Sequence, residues 1–277
     1  MTHIANVVSG ILAASDANVI LPEERFLADD GLLHCKKCGK PVQCRITIFG
    51  EEQIVHCICD CIKAKLDAEE ERKRMEDTER RRRDCFEGSD MITWTFEKDD
   101  HKDEGTLKAA RNYTDSFEEF LQSGQGLMFY GGNGTGKTFA ACCIANALVD
   151  KGYKCLVTTF VELANRMQGL REGKQDFIES LDRYHLLVLD DLGAERQSDY
   201  MQEQVFNVVN ARCCSKLPFI VTTNLSVEEI TKPQDYGRAR IYSRVLGCCF
   251  PLQVNKIERR KATLKENFPG MASKLGL

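Results

Sequence analysis

The residues best suited to chemistry in this chain form a glycine-rich loop that ends in lysine and threonine. The loop occupies residues 131–138 and fits the pattern G-x-x-x-x-G-K-[ST]. Its glycines let backbone N–H groups turn inward around phosphates. Lys137 is expected to reach the β- and γ-phosphates, while the Thr138 hydroxyl completes a Mg²⁺ shell. The pattern predicts a site for a nucleoside triphosphate with Mg²⁺, rather than a glycine turn without a ligand.

Such a loop needs a strand before it and a helix after it, and the sequence provides both. The apolar run 127–130 reads as the strand, and 139–149 reads as a helix whose amino terminus adds positive charge. The residues expected to bind the nucleotide and its metal are Gly131, Gly132, Asn133, Gly134, Thr135, Gly136, Lys137, Thr138 and, from a later strand, Asp190.

Strand-like and helix-like runs alternate after the loop. Further strands are predicted at 154–159, 184–191, 219–224 and 249–254. Helices are predicted at 161–169 and 199–215, and a capping box opens a short helix at Ser226. Alternation of this kind indicates an α/β fold, with a parallel five-stranded sheet between helices.

Polar side chains follow two of these predicted strands. Asp190 and Asp191 end one apolar run, and Asn224 ends another. Sheets of this class bind ligands at the carboxyl ends of their strands. Asp190 is expected to hold Mg²⁺ through water, and Asp191 to orient or deprotonate the water that attacks the γ-phosphate. Asn224 can hydrogen-bond that phosphate or water, although Asn is also an ordinary turn residue.

A second group with metal-binding chemistry lies near the amino terminus, where six cysteines fall between Cys35 and Cys61. Cys35 and Cys38 are followed by Gly39, which is the pattern of a zinc knuckle. The hairpin-like stretch 45–57 then returns the chain to further cysteines. The arrangement predicts a four-cysteine Zn²⁺ site in a small ribbon-like domain, with a structural metal.

The second pair of zinc ligands stays open, because its spacing is C-x-C-x-C. A continuing strand would place all three cysteines on one side, so alternation does not separate them. We favour Cys57 and Cys59, with Cys61 next. Candidates outside the pattern are Cys44, His34 and His56. The alternative is a set of free cysteines without metal.

Composition favours a protein of a reducing compartment. The 277 residues, 43% of them hydrophobic, suit one sizeable domain and a smaller one. A net charge of −4 provides no general attraction to nucleic acid, so any DNA contact must be a local patch.

No apolar run approaches the ~20 residues of a membrane span. Without a basic secretory start, we expect a cytoplasmic protein with no membrane association. The remaining cysteines, mostly adjacent pairs, are expected to be free and buried.

A charged stretch separates the two motif regions. Residues 63–84 lack proline and glycine and place acids before bases at i,i+4, which predicts a solvated helical linker. A nucleic-acid role for the arginines at 80–83 is the less favoured alternative. The predicted division is therefore 1–62, 63–85 and 86–277. A further short amphipathic helix is predicted from Ile4, Val7, Val8, Ile11 and Leu12.

Together, these motifs resemble the AAA+ ATPases of the DnaC/DnaI helicase-loader family. The resemblance is closest to phage and prophage DNA replication proteins with an N-terminal zinc-binding region. The matching segments, in family order, are 94–97, 126–138, 186–196, 218–225 and 240–245.

The resemblance implies roles that spacing alone does not show. Asn224 is similar to the sensor-1 residue, and Arg244 to an arginine finger, although a surface ion pair explains Arg244 equally well. The residues then expected in catalysis are Lys137, Asp191, Asn224 and Arg244. The chain stops soon after its last predicted strand, which implies that the helical lid of many AAA+ proteins is missing.

Loaders of this family bind a hexameric replicative DNA helicase through the N-terminal region. They self-associate as ATP-bound subunits and place the helicase on single-stranded DNA. The expected activity is a slow ATPase, stimulated by DNA or a partner, that acts as a switch.

One alternative is an IstB-type transposition helper that binds duplex DNA. The zinc-like amino terminus and the charged linker disfavour this alternative. Another is a zinc-dependent adaptor with negligible hydrolysis; a metabolic kinase lacks an acceptor site here.

Overall fold

The computed structural model describes residues 24–99, 104–194, 198–233 and 235–254. Three expectations lie outside these ranges: the amphipathic helix near residues 4–12, the missing lid after 254, and the end of the 186–196 segment. The chain divides into two compact units, Met1–Asp77 and Thr78–Leu277. No helix in the described ranges is long and apolar enough to cross a membrane.

Two antiparallel hairpins form the described strands of the first unit. The strands are β1 (Arg25–Leu27), β2 (Leu33–Cys35), β3 (Gln43–Ile48) and β4 (Glu51–His56), paired β1 with β2 and β3 with β4. The turn of the second hairpin contains Phe49 and Gly50, both with positive φ. The core of this unit is small and contains Cys35, Val42, Cys59 and Ile62. So small a core is the situation in which a bound metal supplies folding free energy.

Helix α1 (Asp60–Phe86) contains the whole predicted linker helix and continues beyond it. Its middle is exposed and bears the predicted Glu69–Lys73 ion pair, together with an Arg72–Glu76 pair of the reverse order. Its last turns differ from a solvated spacer, because Cys85 and Phe86 are buried in the core of the second unit. Arg82 also pairs with Asp150. The arginine run is therefore attached to the second unit.

The second unit is built on a parallel sheet in the order β6-β7-β8-β5-β9. Its strands are β5 (Gly126–Tyr130), β6 (Cys155–Thr159), β7 (Leu186–Leu192), β8 (Phe219–Thr223) and β9 (Cys249–Gln253). Its described α-helices are α2 (Glu104–Asp115), α3 (Phe117–Ser123), α4 (Lys137–Asp150), α5 (Phe160–Gly169), α6 (Lys174–Ser180), α7 (Asp199–Cys214), α8 (Val227–Thr231) and α9 (Tyr236–Cys248). The predicted five-stranded sheet between helices is confirmed.

Side-chain alternation along the strands divides the core into two layers. In β7, Leu186 and Val188 pack on the side of α2 and α4. Leu187 and Leu189 pack on the opposite side, with α5, α7 and α9. Both faces of the sheet are thus covered, which explains why its strands read as continuous apolar runs.

One expectation about cysteines is wrong. Cys213 and Cys248 were expected to be free, but they form a disulfide between α7 and α9, with Cα atoms 6.3 Å apart. The helices pack against each other, which brings the two positions together. Cys142, Cys143 and Cys249 are buried thiols outside any disulfide, as expected, whereas Cys214 is exposed.

Candidate functional site

The glycine-rich loop connects β5 to α4, at the carboxyl edge of the sheet. Gly131 has φ 148°, and a Cβ atom there would lie 2.7 Å from the carbonyl oxygen of Val254. Gly136 has φ 101°, in the left-handed region that favours glycine, immediately before α4 begins. These two positions bring the loop close to the end of the sheet and direct it into the helix. The helix amino terminus therefore faces the loop, as phosphate binding requires.

Lys137 lies across this loop and is buried. Its Nζ donates hydrogen bonds to the carbonyl oxygens of Gly131 (3.1 Å) and Gly132 (2.7 Å) and to Oδ1 of Asn224 (2.7 Å). Three oxygen acceptors satisfy the donors of this buried ammonium group. The lysine thus brings positive charge to the phosphate loop and connects it with the end of β8.

Asp190 lies at the end of β7 and is also buried. Its Oδ1 accepts hydrogen bonds from the hydroxyls of Thr138 (2.9 Å) and Thr222 (2.5 Å). Burial raises the pKa of Asp190, and the neighbouring Asp191 raises it further. A divalent cation beside Asp190 and Thr138 would offset this unfavourable burial of charge. The donor set fits a hard cation such as Mg²⁺.

Asp191 has the left-handed φ of 58°, which few non-glycine residues adopt. The pairing of β7 with β8 is irregular between Leu189 and Leu192, and the Asp191 N–H donates to Thr222 Oγ1 at 3.0 Å. This irregularity separates the directions of two consecutive carboxylates. Asn224 Nδ2 lies 3.5 Å from Asp191 Oδ1. The predicted metal ligand, base and amide therefore meet at one edge of the sheet.

A cleft of about 380 Å³ opens beside these groups. Its polar lining includes the loop residues Asn133, Gly134, Thr135, Gly136, Lys137 and Thr138, together with Asp190, Asp191 and Asn224. Gly131 and Gly132 are not in the lining; they contribute the carbonyl groups that hold Lys137.

The cleft also has an apolar wall that the sequence analysis missed. Met91, Trp94 and Phe139 line it. The Trp94 and Phe139 ring centroids are 6.0 Å apart, and Asn146 donates to the Trp94 carbonyl oxygen at 2.8 Å. Trp94 is the single tryptophan of the chain, which was the available signal. Because the opposite wall is polar, this wall suits the base of a nucleotide.

Arg244 lies apart from the cleft residues. It is exposed on α9, and it is not in the cleft lining. Within one chain, the structure does not bring it to the phosphate loop.

The first unit gathers Cys35, Cys38, Cys59 and Cys61, whose sulfur atoms all lie within 4.8 Å of one another. Cys61 Sγ lies 3.4 Å from Cys35 Sγ and 3.2 Å from Cys59 Sγ. Four thiolates around tetrahedral zinc lie about 3.8 Å apart, given Zn–S bonds of about 2.3 Å. Backbone N–H groups of Cys38 and Lys37 lower the pKa of Cys35 to about 6, which favours its thiolate form. The donor set fits Zn²⁺.

This group includes Cys61 in place of Cys57, which the sequence analysis favoured. No strand continues through the three cysteines, because β4 ends at His56 and α1 begins at Asp60. Cys57 instead lies 3.6 Å from the carbonyl oxygen of Pro41.

The three outside candidates also lie apart from the group. Cys44 belongs to β3, opposite Val55, and His56 is exposed at the end of β4. His34 contacts the Gly39 carbonyl oxygen and Asp30.

The fold and the cleft define a P-loop protein with a site for a nucleotide. A family model described as IstB-like ATP binding protein matches residues 66–261. This is well over half of the chain, and the chain belongs to that family.

Relatives of this family carry more specific names. The chain is 24% identical over 213 residues to the replicative helicase loader DnaI of Bacillus subtilis, covering 72% of this chain and 67% of DnaI. It is 30% identical over 130 residues to the replicative helicase loader DnaC of Escherichia coli, covering 46% of this chain and 52% of DnaC. The chain thus spans about half the length of DnaC. The predicted resemblance to DnaC/DnaI-type loaders is confirmed.

Solved structures agree on the fold. A crystal structure of DnaI matches with a TM-score of 0.51 at 22% identity, covering 60% of this chain and 93% of that chain. A DNA replication initiation factor matches with a TM-score of 0.50 at 23% identity, covering 63% of this chain and 55% of that chain.

Proposed function

We propose that this protein is an ATP-dependent loader of a hexameric replicative DNA helicase onto single-stranded DNA, acting in the cytoplasm. One observation carries the proposal. The chain combines a nucleotide cleft containing a charged network with a four-cysteine group in a separate unit, and it is similar to DnaI over 72% of its length. The domain division 1–62 for helicase docking, 63–85 for a linker and 86–277 for the ATPase belongs to this proposal.

In the proposed reaction, the phosphate loop and Lys137 bind the β- and γ-phosphates of ATP. Thr138 and Asp190 would hold Mg²⁺, which supplies charge neutralisation on the phosphates when bound. Asp191 accepts a proton from the attacking water, and Asn224 orients that water or the γ-phosphate. Asp191 can fill this role because the β7 irregularity directs its carboxylate into the cleft. Slow turnover, stimulated by DNA or helicase, would make ATP a switch.

Self-association through the ATPase unit gives Arg244 its proposed role. Arg244 is exposed and lies outside its own chain's cleft lining, as an arginine finger serving a neighbouring subunit must. An Arg244→Ala variant should then lose hydrolysis, and an excess of the Lys137→Ala variant, which retains Arg244, should restore it. Lack of any restoration would contradict the trans role.

Zinc is proposed to hold the first unit in its folded form. Cys35, Cys38, Cys59 and Cys61 would supply four thiolates to a closed, structural site. The metal would join the β2 end to the α1 start, because these cysteines come from both places.

The test of the loader proposal is native mass spectrometry of this protein mixed with the replicative helicase of its host, with ATP. We expect a defined complex with the wild-type chain and its loss in a Cys35→Ser, Cys38→Ser variant. A matched variant, Cys142→Ser, removes a buried thiol far from the zinc group in sequence and should keep the complex if it folds. Absence of a complex with wild type would contradict the loader proposal.

The second candidate is the IstB-type helper, which shares its name with the matching family model. It predicts tight binding and bending of duplex DNA by the protein alone. Bending of a labelled duplex, without any helicase complex, would select this function over loading.

A further inference from the structure

A basic groove lies on the second unit, away from the nucleotide cleft. It has a volume of about 580 Å³. Five cationic side chains and one aromatic ring line it, from Arg80, Arg81, Arg83, Lys154, Arg183 and Tyr184. Two carboxylates, from Asp84 and Glu87, also line it, and Glu87 pairs with Arg166. The groove is therefore positive, although the chain as a whole has a net charge of −4.

The groove lies at the opposite edge of the sheet from the nucleotide. Lys154 directly precedes β6, and Arg183 and Tyr184 precede β7, so both segments lie at the amino ends of parallel strands. The phosphate loop follows β5 and lies at the carboxyl ends. None of the residues that line the groove lines the nucleotide cleft. A ligand in the groove is thus compatible with a nucleotide in the cleft.

The wall that carries Arg183 and Tyr184 is held by a buried arginine. Arg212 is 1% exposed and donates to the carbonyl oxygens of Leu181, Tyr184 and Pro218. These bonds fix the turn before β7. Arg212 Nη1 also lies 3.6 Å from the Asp182 carboxylate, so its buried charge is paired within the same turn.

The opposite wall is equally well anchored. Cys85 and Phe86 bury the end of α1 in the core, and Arg82 pairs with Asp150. With the helix end anchored in this way, Arg80 and Arg83 remain exposed. The two walls therefore present their cations from backbone that is fixed before any ligand arrives, which lowers the entropic cost of binding.

We propose that the basic groove binds the sugar–phosphate backbone of single-stranded DNA. Guanidinium groups match phosphate geometry, and the groove concentrates them where the rest of the chain is acidic. Tyr184 supplies an aromatic face, over which the Arg183 guanidinium lies 4.9 Å from the ring centroid. A concave positive groove with an aromatic ring suits a flexible single strand. The inference rests on the proposed function and adds a DNA contact surface to it.

The test measures the anisotropy of fluorescent oligo-dT with the full-length protein over a range of salt concentrations. Two triple variants each remove three positive charges. The groove variant carries Arg83→Gln, Lys154→Gln and Arg183→Gln. The control carries Arg72→Gln, Lys73→Gln and Arg74→Gln, on exposed turns of the same helix. The two variants are matched in charge, and each breaks an ion pair on the helix: Arg83 with Glu79 in the groove variant, and Arg72 with Glu76 in the control.

We expect the groove variant to bind oligo-dT at least tenfold more weakly at low salt. We expect its salt slope to fall by about 2, because each lost phosphate contact removes about 0.7. The control should bind as wild type does. ATP hydrolysis without DNA should stay unchanged in both variants, which also shows that the groove variant is folded.

Three results would overturn the inference. They are no oligo-dT binding by wild type, equal losses in both triple variants, and a groove variant that binds as wild type does. If the groove variant kept DNA binding but lost its complex with the helicase, the groove would bind an acidic protein surface instead. The helicase complex of the wild-type chain is measured separately, so failure of the loader proposal is distinguishable from failure of the groove.

Discussion

Replacement of Asp191 by asparagine should separate the chemistry of the nucleotide site from its fold. Asp191 adopts a left-handed φ of 58° at the irregularity between β7 and β8. Asparagine is among the residues that tolerate this region best, and it has nearly the same shape. The substitution also removes a negative charge beside buried Asp190. We therefore expect the free energy of unfolding to change by no more than about 0.5 kcal/mol.

The effect on hydrolysis should be much larger. An amide cannot accept the proton of the attacking water at this position, and a general base contributes about 10²- to 10⁴-fold to a rate. The expected loss corresponds to about 2.7–5.5 kcal/mol of activation free energy. Binding of ATP should change little, because the loop backbone and Lys137 hold the phosphates. The asparagine variant should thus bind ATP without hydrolysing it.

The assay is phosphate release in a single turnover, with nucleotide affinity and thermal unfolding measured on the same samples. Asp191→Ala is the matched control, since it also lacks the base. Its free energy of unfolding should be about 1–2 kcal/mol lower than that of Asp191→Asn, because alanine disfavours a left-handed φ. Equal hydrolysis and unequal stability of the two variants would support the assignment. Hydrolysis by Asp191→Asn within tenfold of wild type would refute Asp191 as the base.

Three further predictions concern the metal sites and the core. Elemental mass spectrometry should find one zinc per chain in the wild type and in Cys57→Ser, and none in Cys61→Ser. Loss of zinc in Cys57→Ser but not in Cys61→Ser would support the ligand set that the sequence analysis favoured. Arg212→Met leaves three carbonyl oxygens without their donor and should lower the free energy of unfolding by about 3–5 kcal/mol. Calorimetry should show this as a decrease of about 10 °C in Tm. A smaller decrease than for substitution of an exposed arginine would contradict the prediction. Because burial raises the pKa of Asp190, Mg²⁺ affinity should increase as the pH rises through that pKa, as titration calorimetry would show. In Asp190→Asn this dependence should disappear.

The nucleotide site could be predicted because its determinants are local. A phosphate loop requires glycine at positions of positive φ, and the lysine and threonine follow at fixed spacing. The acids at the end of the predicted strand 184–191 were predictable because a buried strand has to end before it can present charge. Their separation into a metal ligand and a base was expected, but its cause was not visible. The irregular pairing with β8 depends on a strand about thirty residues further along the chain.

The proposed zinc ligands show the limit of a periodicity argument. Alternation treats Cys57, Cys59 and Cys61 as equivalent only while the strand continues. The strand ends at His56, and Cys59 instead precedes a helix, accepting N–H bonds from Ile62 and Lys63 at its carbonyl oxygen. Cys61 then lies in the first turn of that helix. The boundary between strand and helix, which short sequence patterns place poorly, therefore determines the ligand set.

The bonds of Asn224 suggest how one cleft both holds a nucleotide and responds to it. Its Oδ1 accepts from Lys137 at 2.7 Å, so a γ-phosphate must compete with this amide for the ammonium group. Phosphate oxygens make the stronger charge-assisted bonds, and we expect them to displace Asn224. Two residues later, Ser226 begins α8 through a reciprocal capping box with Glu229. Under the proposed switch, a displaced Asn224 would move the start of α8, and loss of the γ-phosphate would return Lys137 to the amide.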